Sequence, residues 1–475
     1  MSRVLLISTY ELGAQPLGLA WTSGELSEAG HEVRTCDVAV EPWPEKDIEW
    51  AEAVAFSVPM HTALRLALGA LARVRRTRPR VPVAFYGLYA PVAAQTGELK
   101  DGDCAVAGES KGTLLRWLAD HGASTRRFET TVDRGPARLV KDTMASPKRD
   151  GLPSLSSYAR LVGGGAERLV ATVEASRGCN HQCRHCPVPV VYGGRSRAVP
   201  ADLVLSDIDA LVGLGATHIH FSDPDFFNRP THAIEIARSL HERHPEASFD
   251  ATIKVSHLLR HKDAVAELAR LGLAFVVSAF ESTSGRVLER LDKGHSADDC
   301  ATAVALLRSH GVEIRPSYLP FTPWTRRDDV VSILDFVARH DLIWNVDPVQ
   351  YSIRLLIPPG SLVLEADDPD VKAAVTGFDP DQLGYAWAAR DALLDELQFA
   401  ISARVERAAE SSESLDATYK AVRAIVFEAL GRSDPGAPDP IAPLGPPQKE
   451  RLRLSEPWFC CAEPTGIQLT SVIAR

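Results

Sequence analysis

The sequence predicts an α/β protein with a doubly wound parallel sheet at the N-terminus, a partial barrel after it and a C-terminal helical region. Two observations carry this. Short apolar runs of strand length alternate with helical apolar spacing in two separate series, the pattern of parallel sheets with crossover helices. Between the series, and again after the second, the alternation is lost.

The first series opens with "RVLLIST" from Arg3, then "LGLAWTSGELSEAGHEV", whose helical spacing closes at Gly30. "AVAFSVP" from Ala53 and "VPVAFYG" from Val81 flank the helical "ALRLALGALARVRR", and "CAVAGES" from Cys104 ends a unit over 1–123. Residues 124–165 collect Arg, Gly, Pro and Ser and read as a linker. The second unit, 166–360, offers six candidate strands: "LVATVEAS", "HIHFSD", "SFDATIKV", "AFVVSAFE", "EIRPSYLPF" and "VQYSIRLLI". Such a series suits a partial (β/α)6 barrel. Residues 361–433 carry two helical patterns, and 434–475 hold a short tail behind six prolines within Asp434–Pro447, read as an extended, semi-rigid linker. No internal repeat of solenoid period is present.

With 475 residues, a net charge of -10 and a pI near 5.9, the chain is a poor candidate for coating nucleic acid, which needs concentrated basic surface. No apolar stretch approaches a membrane span, and the N-terminal run is too short for a secretion signal, so a cytoplasmic, non-membrane protein is expected. Of eight cysteines, three crowd into "GCNHQCRHCP" (Gly178 to Pro187) and two are adjacent at Cys460 and Cys461. This spacing favours metal or thiol chemistry over a disulfide framework. Cys36, Cys104 and Cys300 fall in predicted regular elements and read as structural.

Cys179, Cys183 and Cys186 follow a predicted first barrel strand, where parallel barrels carry their functional loops. Three thiolates hold one face of a metal cluster and leave a position open for an outside ligand. A structural zinc site completed by His181 or His185 is the alternative.

The Cys-x3-Cys-x2-Cys spacing, with the ring of His185 before the last cysteine, resembles the radical S-adenosylmethionine (SAM) superfamily over about Arg168 to Pro359. The resemblance implies that the three cysteines bind a 4Fe-4S cluster, that SAM chelates its open iron, and that reductive cleavage gives a 5'-deoxyadenosyl radical. It also implies an electron donor such as flavodoxin or ferredoxin and a small-molecule substrate. "FSDPDFF" stands where the family has a polar segment near the methionine amino group, which makes Asp223 or Asp225 a candidate, although the usual Gly-Gly-Glu is absent. A helix cap or turn explains these carboxylates equally well. "FESTSGRVLERLDKGHS" resembles the fourth-strand segment, with Glu281 facing the cofactor. Arg315 is a candidate partner for a carboxylate of cofactor or substrate, or a member of an internal salt bridge.

"PLGLAWTSGELSEAGHEV" and "AVAGES" resemble the cobalamin-binding domain that precedes the barrel in one branch of that superfamily. The Asp-x-His-x-x-Gly sequence that supplies a cobalt-ligating histidine elsewhere is absent, so cobalamin, if bound, is held without it. His31 and His61 read as surface or packing residues. "WFCCAEP" is similar to the tail of the CCAEP (or CUAEP, with selenocysteine) radical SAM group, which makes Cys460 and Cys461 candidate catalytic thiols for a thiophilic or redox-active group. The expectation is a radical SAM enzyme, methylating if cobalamin binds. A transferase acting on a metalloid or chalcogen is one alternative, and a non-catalytic iron-sulfur sensor another.

Overall fold

The computed structural model describes residues 1–109, 111–122, 131–133, 144–456, 462, 464, 465 and 468. Six parallel strands form the N-terminal sheet in the order β2-β1-β3-β4-β5-β6: β1 (Arg3–Ser8), β2 (Glu32–Asp37), β3 (Ala53–Ser57), β4 (Val83–Tyr86), β5 (Cys104–Val106) and β6 (Thr131–Asp133). The inner strands are buried on both faces, which is why they read as continuous apolar runs. Leu5, Ile7, Val54 and Phe56 pack on the helix His61–Thr77, while Val4, Leu6, Ala53 and Ala55 pack on Leu17–Glu28 and Lys111–Gly122. β2 is absent from the sequence expectation because half of it is polar: as an edge strand, Glu32, Arg34 and Thr35 remain accessible.

The order reverses between β1 and β3, and it is outside the C-terminal ends of such a pair that open α/β sheets place their ligand crevice. Gly18 lets the first helix close on β3 there, since a Cβ would stand 2.3 Å from Ser57 Oγ.

The second sheet runs β14-β13-β12-β11-β8-β7-β17. Its parallel strands are β8 (Arg168–Val173), β11 (His218–Phe221), β12 (Ser248–Thr252), β13 (Leu273–Glu281) and β14 (Glu313–Tyr318). β7 (Arg160–Val162) and β17 (Arg453–Leu454) add on antiparallel. A short hairpin, β9 (Ser176–Gly178) with β10 (Ser196–Ala198), brackets the cysteine loop, and β15 (Val375–Asp379) pairs with β16 (Gly384–Trp387). Ile219, Phe221, Phe249 and Ala251 face the outer helices in the largest apolar core. Alternation turns His218, His220 and Asp250 to the lumen. There both imidazoles lie 2.8 Å from the one carboxylate.

The sixth expected strand, "VQYSIRLLI", is a correction. Pro348–Tyr351 is a 3-10 turn, and only Arg354 makes a β-bridge, to Phe321. Pro348 has no amide to give a ladder, and Tyr351 turns outward to the helical region, against Tyr419. Closure comes from the other edge. Glu313 on β14 bonds Asn345 (2.6 Å), and Asn345 accepts from Arg451 (2.8 Å), which leads into β17.

The proline-rich stretch is pinned rather than free. Ile441 N–H donates to Arg339, Pro443 accepts from Arg308, and Gly445 N–H donates to Asp341. The C-terminal helices Ala392–Glu410 and Leu415–Ala429 pack on each other, and the second bonds the barrel's outer helix through Tyr419 Oη to Leu334 O, 3.1 Å.

Candidate functional site

Gly178 starts the cysteine loop at φ +77, and a Cβ would lie 2.3 Å from Arg195 O and 2.8 Å from the Tyr192 ring. Only glycine fits this approach of β9 to its partner strand. Asn228 then clamps the next residues: its Oδ1 accepts from Asn180 N–H (3.0 Å), and Asn180 Nδ2 donates to Asn228 O (3.2 Å). A turn follows, Cys186 N–H to Cys183 O, and Arg184 N–H donates to Leu291 O. Cys179 and Cys183 are buried and Cys186 is half-buried, and none of the three is in a disulfide among the described residues. Burial pushes the Cys179 thiol up, and the neighbouring Asp225 and Cys183 add to this. Such a thiol waits for a metal to deprotonate it.

Glu281 ends β13 with φ +63, a left-handed position costly for a non-glycine residue, where the ladder to β14 slips by one residue. Its Oε1 meets His185 Nε2 at 3.0 Å and Lys293 Nζ at 3.1 Å. Burial would raise this carboxyl, but the charges of Lys293 and then His185 hold it well below the usual range. Both contacts fall on one oxygen. Burial would lower the Lys293 ammonium, but Glu281 first, with the neighbouring Cys183 and Cys186, raises it. The donor set therefore fits an anionic iron-sulfur cluster: three thiols on a glycine-cradled loop, an adjacent ammonium, and no fourth cysteine beside them among the described residues.

The other sequence candidates are placed as follows. Asp223 accepts from Ala175 N–H (2.8 Å) and Ser176 Oγ (2.5 Å), fixing the turn between β8 and β9. Asp225 caps the 3-10 turn Phe226–Asn228 and faces His181 and His257. Arg315 Nη2 donates to Asp347 (2.8 Å), while its Nη1 is buried with no hydrogen-bond partner. Cys460 and Cys461 lie outside the described residues, as does Ser110 of "AVAGES". Lys293, His257 and Asn228 were missed. Lys293 lies within "FESTSGRVLERLDKGHS", where only Glu281 is singled out, His257 lies just beyond the run "SFDATIKV", and Asn228 has no signal in isolation.

The loop also meets the N-terminal unit. Cys179, Cys186 and the helix Pro187–Tyr192 share one apolar cluster with Leu88 and Ala107, which follow β4 and β5. Arg197 pairs with Glu109 at 2.7 Å, and Arg177 stacks 4.7 Å over Trp21. The cysteine loop thus packs at the C-terminal edge of the N-terminal sheet, the edge where open α/β sheets bind ligands.

The sequence profile "Radical SAM superfamily" matches residues 173–337. Hopanoid C-3 methylase of Methylococcus capsulatus is 24% identical over 337 residues, 68% of this chain and 64% of that protein. Anaerobic magnesium-protoporphyrin IX monomethyl ester cyclase of Synechocystis is 22% identical over 72% of this chain and 70% of its own length. Among solved structures, the cobalamin-dependent radical SAM enzyme OxsB with aqua-cobalamin superposes with TM-score 0.66 at 14% identity, over 90% of this chain and 73% of that one. TsrM of Kitasatospora setae, with cobalamin and a [4Fe-4S] cluster, gives 0.53 at 17% identity, over 72% and 71%.

Proposed function

The chain belongs to the radical SAM superfamily, and on that premise we propose that it is a cobalamin-dependent methyltransferase of a small molecule. The supporting observation is the apolar cluster that Cys179 and Cys186 share with Leu88 and Ala107, in which a loop suited to a cluster packs at the sheet edge where open α/β sheets bind ligands. When bound, the cluster and SAM supply a 5'-deoxyadenosyl radical and cobalamin supplies a methyl carrier.

The chain's own residues hold and orient. Cys179, Cys183 and Cys186 ligate the cluster, with Lys293 balancing its charge. Glu281 offers its second oxygen to a hydroxyl of the cofactor or substrate. Asp223 acts through the turn it fixes and Asp225 through His181, so both position the cluster loop. Arg315 pairs a carboxylate of cofactor or substrate with its unpartnered Nη1. The ends of β1, β3, β4 and β5 would hold cobalamin, and the chain has no Asp-x-His-x-x-Gly sequence to offer it a histidine. An electron donor of the flavodoxin or ferredoxin type completes the cycle in the cytoplasm. No helix among the described residues is long and apolar enough to cross a membrane.

One observation supports a second reading, in which Cys460 and Cys461, as in the CCAEP-tail group, carry a thiophilic group to the barrel mouth. Ala462 is buried among Leu291 and Trp324, and its carbonyl accepts from Thr62 Oγ1 at 2.8 Å. The residue after Cys461 therefore belongs to the apolar cluster that also holds Leu291, the cysteine loop's anchor.

The test of the main reading is hydroxocobalamin binding by the full chain, followed by gel filtration and electron paramagnetic resonance of the reduced form. Stoichiometric retention with no imidazole nitrogen splitting is expected. No retention would sink the methyltransferase reading and leave the tail-thiol reading standing.

A further inference from the structure

His181, in the cysteine loop, and His257, in the helix Val255–Arg260 after β12, converge on Asp225 after β11. His181 Nε2 lies 3.1 Å and His257 Nδ1 2.8 Å from the same oxygen, Asp225 Oδ2, and the three ligand atoms fall within 4.8 Å of one another. His257 is 7% exposed, Asp225 2%, and the side chain of His181 reaches solvent at 21%. Nδ1 of His257 approaches the carboxylate out of line with a hydrogen bond and is a buried nitrogen with no hydrogen-bond partner.

Two imidazoles and one carboxylate oxygen around a common point are the donor set of a borderline divalent metal. Hydrogen bonding alone accounts for this packing less well, because a buried imidazole nitrogen with no bond in line costs free energy. Lys254 Nζ, 3.4 Å from His181 Nδ1, faces the ring nitrogen away from Asp225. His261 packs edge-on against His257 at 5.8 Å.

We propose that His181, Asp225 and His257 form a second metal site for a zinc-class divalent cation, separate from the three cysteines. The site ties the cysteine loop to the helix after β12 and holds Asp225 in its present orientation. It does not depend on cobalamin or on methyl transfer.

The experiment reads metals other than iron. The full chain with its reconstituted cluster is dialysed against zinc and then metal-free buffer, and analysed by mass spectrometry for zinc and iron together. Roughly one zinc per chain beside a full iron complement is expected, with zinc falling at least tenfold in His257→Ala and in Asp225→Asn. A Cys179→Ser/Cys183→Ser/Cys186→Ser variant should still bind one Co(II), with visible bands of a nitrogen and oxygen ligand set. Because that variant has a folding risk, zinc X-ray absorption on the wild-type chain is the second measurement. Its expected spectrum has nitrogen and oxygen neighbours and no sulfur. No retained zinc, zinc unchanged in both single variants, or sulfur ligation would each overturn the proposal.

Discussion

In the N-terminal unit, burial pushes the carboxyls of Glu11, Glu25 and Asp37 up to about 8, 7 and 7. In the barrel, Asp225, Asp250 and Glu281 are as buried, yet each is held below its ordinary value. The difference is what each carboxylate meets. His218 and His220 flank Asp250, His181 and His257 flank Asp225, and Lys293 and His185 flank Glu281. Glu11, by contrast, has one oxygen on the Gly18 amide and the other buried without a partner. Burial disfavours the charged carboxylate and is outweighed where imidazole or ammonium groups converge on it. A barrel carboxylate on which imidazoles or an ammonium converge is thus held charged, whereas the barrel's Asp223, which meets Ala175 N–H and Ser176 Oγ instead, is pushed up to about 7 like Asp37 in the N-terminal unit.

The largest way to break this contrast is Glu281→Gln. It leaves Lys293 buried without a counter-charge and should destabilise the cluster-free chain by about 3–5 kcal/mol, read from urea unfolding. A loss under 1 kcal/mol would mean that the barrel charges are solvated in solution. Gly178→Ala comes next. The added Cβ meets Arg195 O at 2.3 Å, and at φ +77 the strain costs roughly 1–3 kcal/mol. Iron content after reconstitution should fall with it, and full iron loading would show that the loop tolerates the shift.

The smallest effect sharpens the contrast through pH. Carboxyls raised in the folded state bind protons that the unfolded chain has released, so their stabilisation is present below the ordinary carboxylate range and is lost as pH rises through about 7 to 8. Carboxyls depressed in the fold act in reverse: their contribution is present above the ordinary range and is lost as pH falls below it. Melting temperature should therefore decline from pH 6 to pH 9. In Glu11→Gln/Asp37→Asn that alkaline decline should flatten while the acid limb persists. An unchanged alkaline slope in the double variant would refute the assignment.

Much of this was legible in the sequence, unevenly. The inner strands of both sheets announced themselves because two-sided burial demands unbroken apolar runs, as in "VLLIS" and "AVAFS". β2 did not, since an edge strand keeps Glu32 and Arg34 wet, and neither did the three-residue β7. "VQYSIRLLI" has strand composition, but Pro348 and the outward packing of Tyr351 decide its conformation. At the site, three cysteines at fixed spacing in one loop need no tertiary information. Lys293 and His257 are identifiable only through what they meet, Glu281 and Asp225, which lie 12 and 32 residues away in the chain.

The central claim is that Cys179, Cys183 and Cys186 hold a cluster that cleaves SAM opposite a cobalamin-binding edge. Its most direct test is anaerobic incubation of the reconstituted full chain with SAM and a strong reductant, with and without cobalamin, read by mass spectrometry. The account predicts 5'-deoxyadenosine that disappears in Cys179→Ala, and S-adenosylhomocysteine only when cobalamin is present. A fully loaded cluster that yields neither nucleoside would contradict it and favour a non-catalytic iron-sulfur sensor.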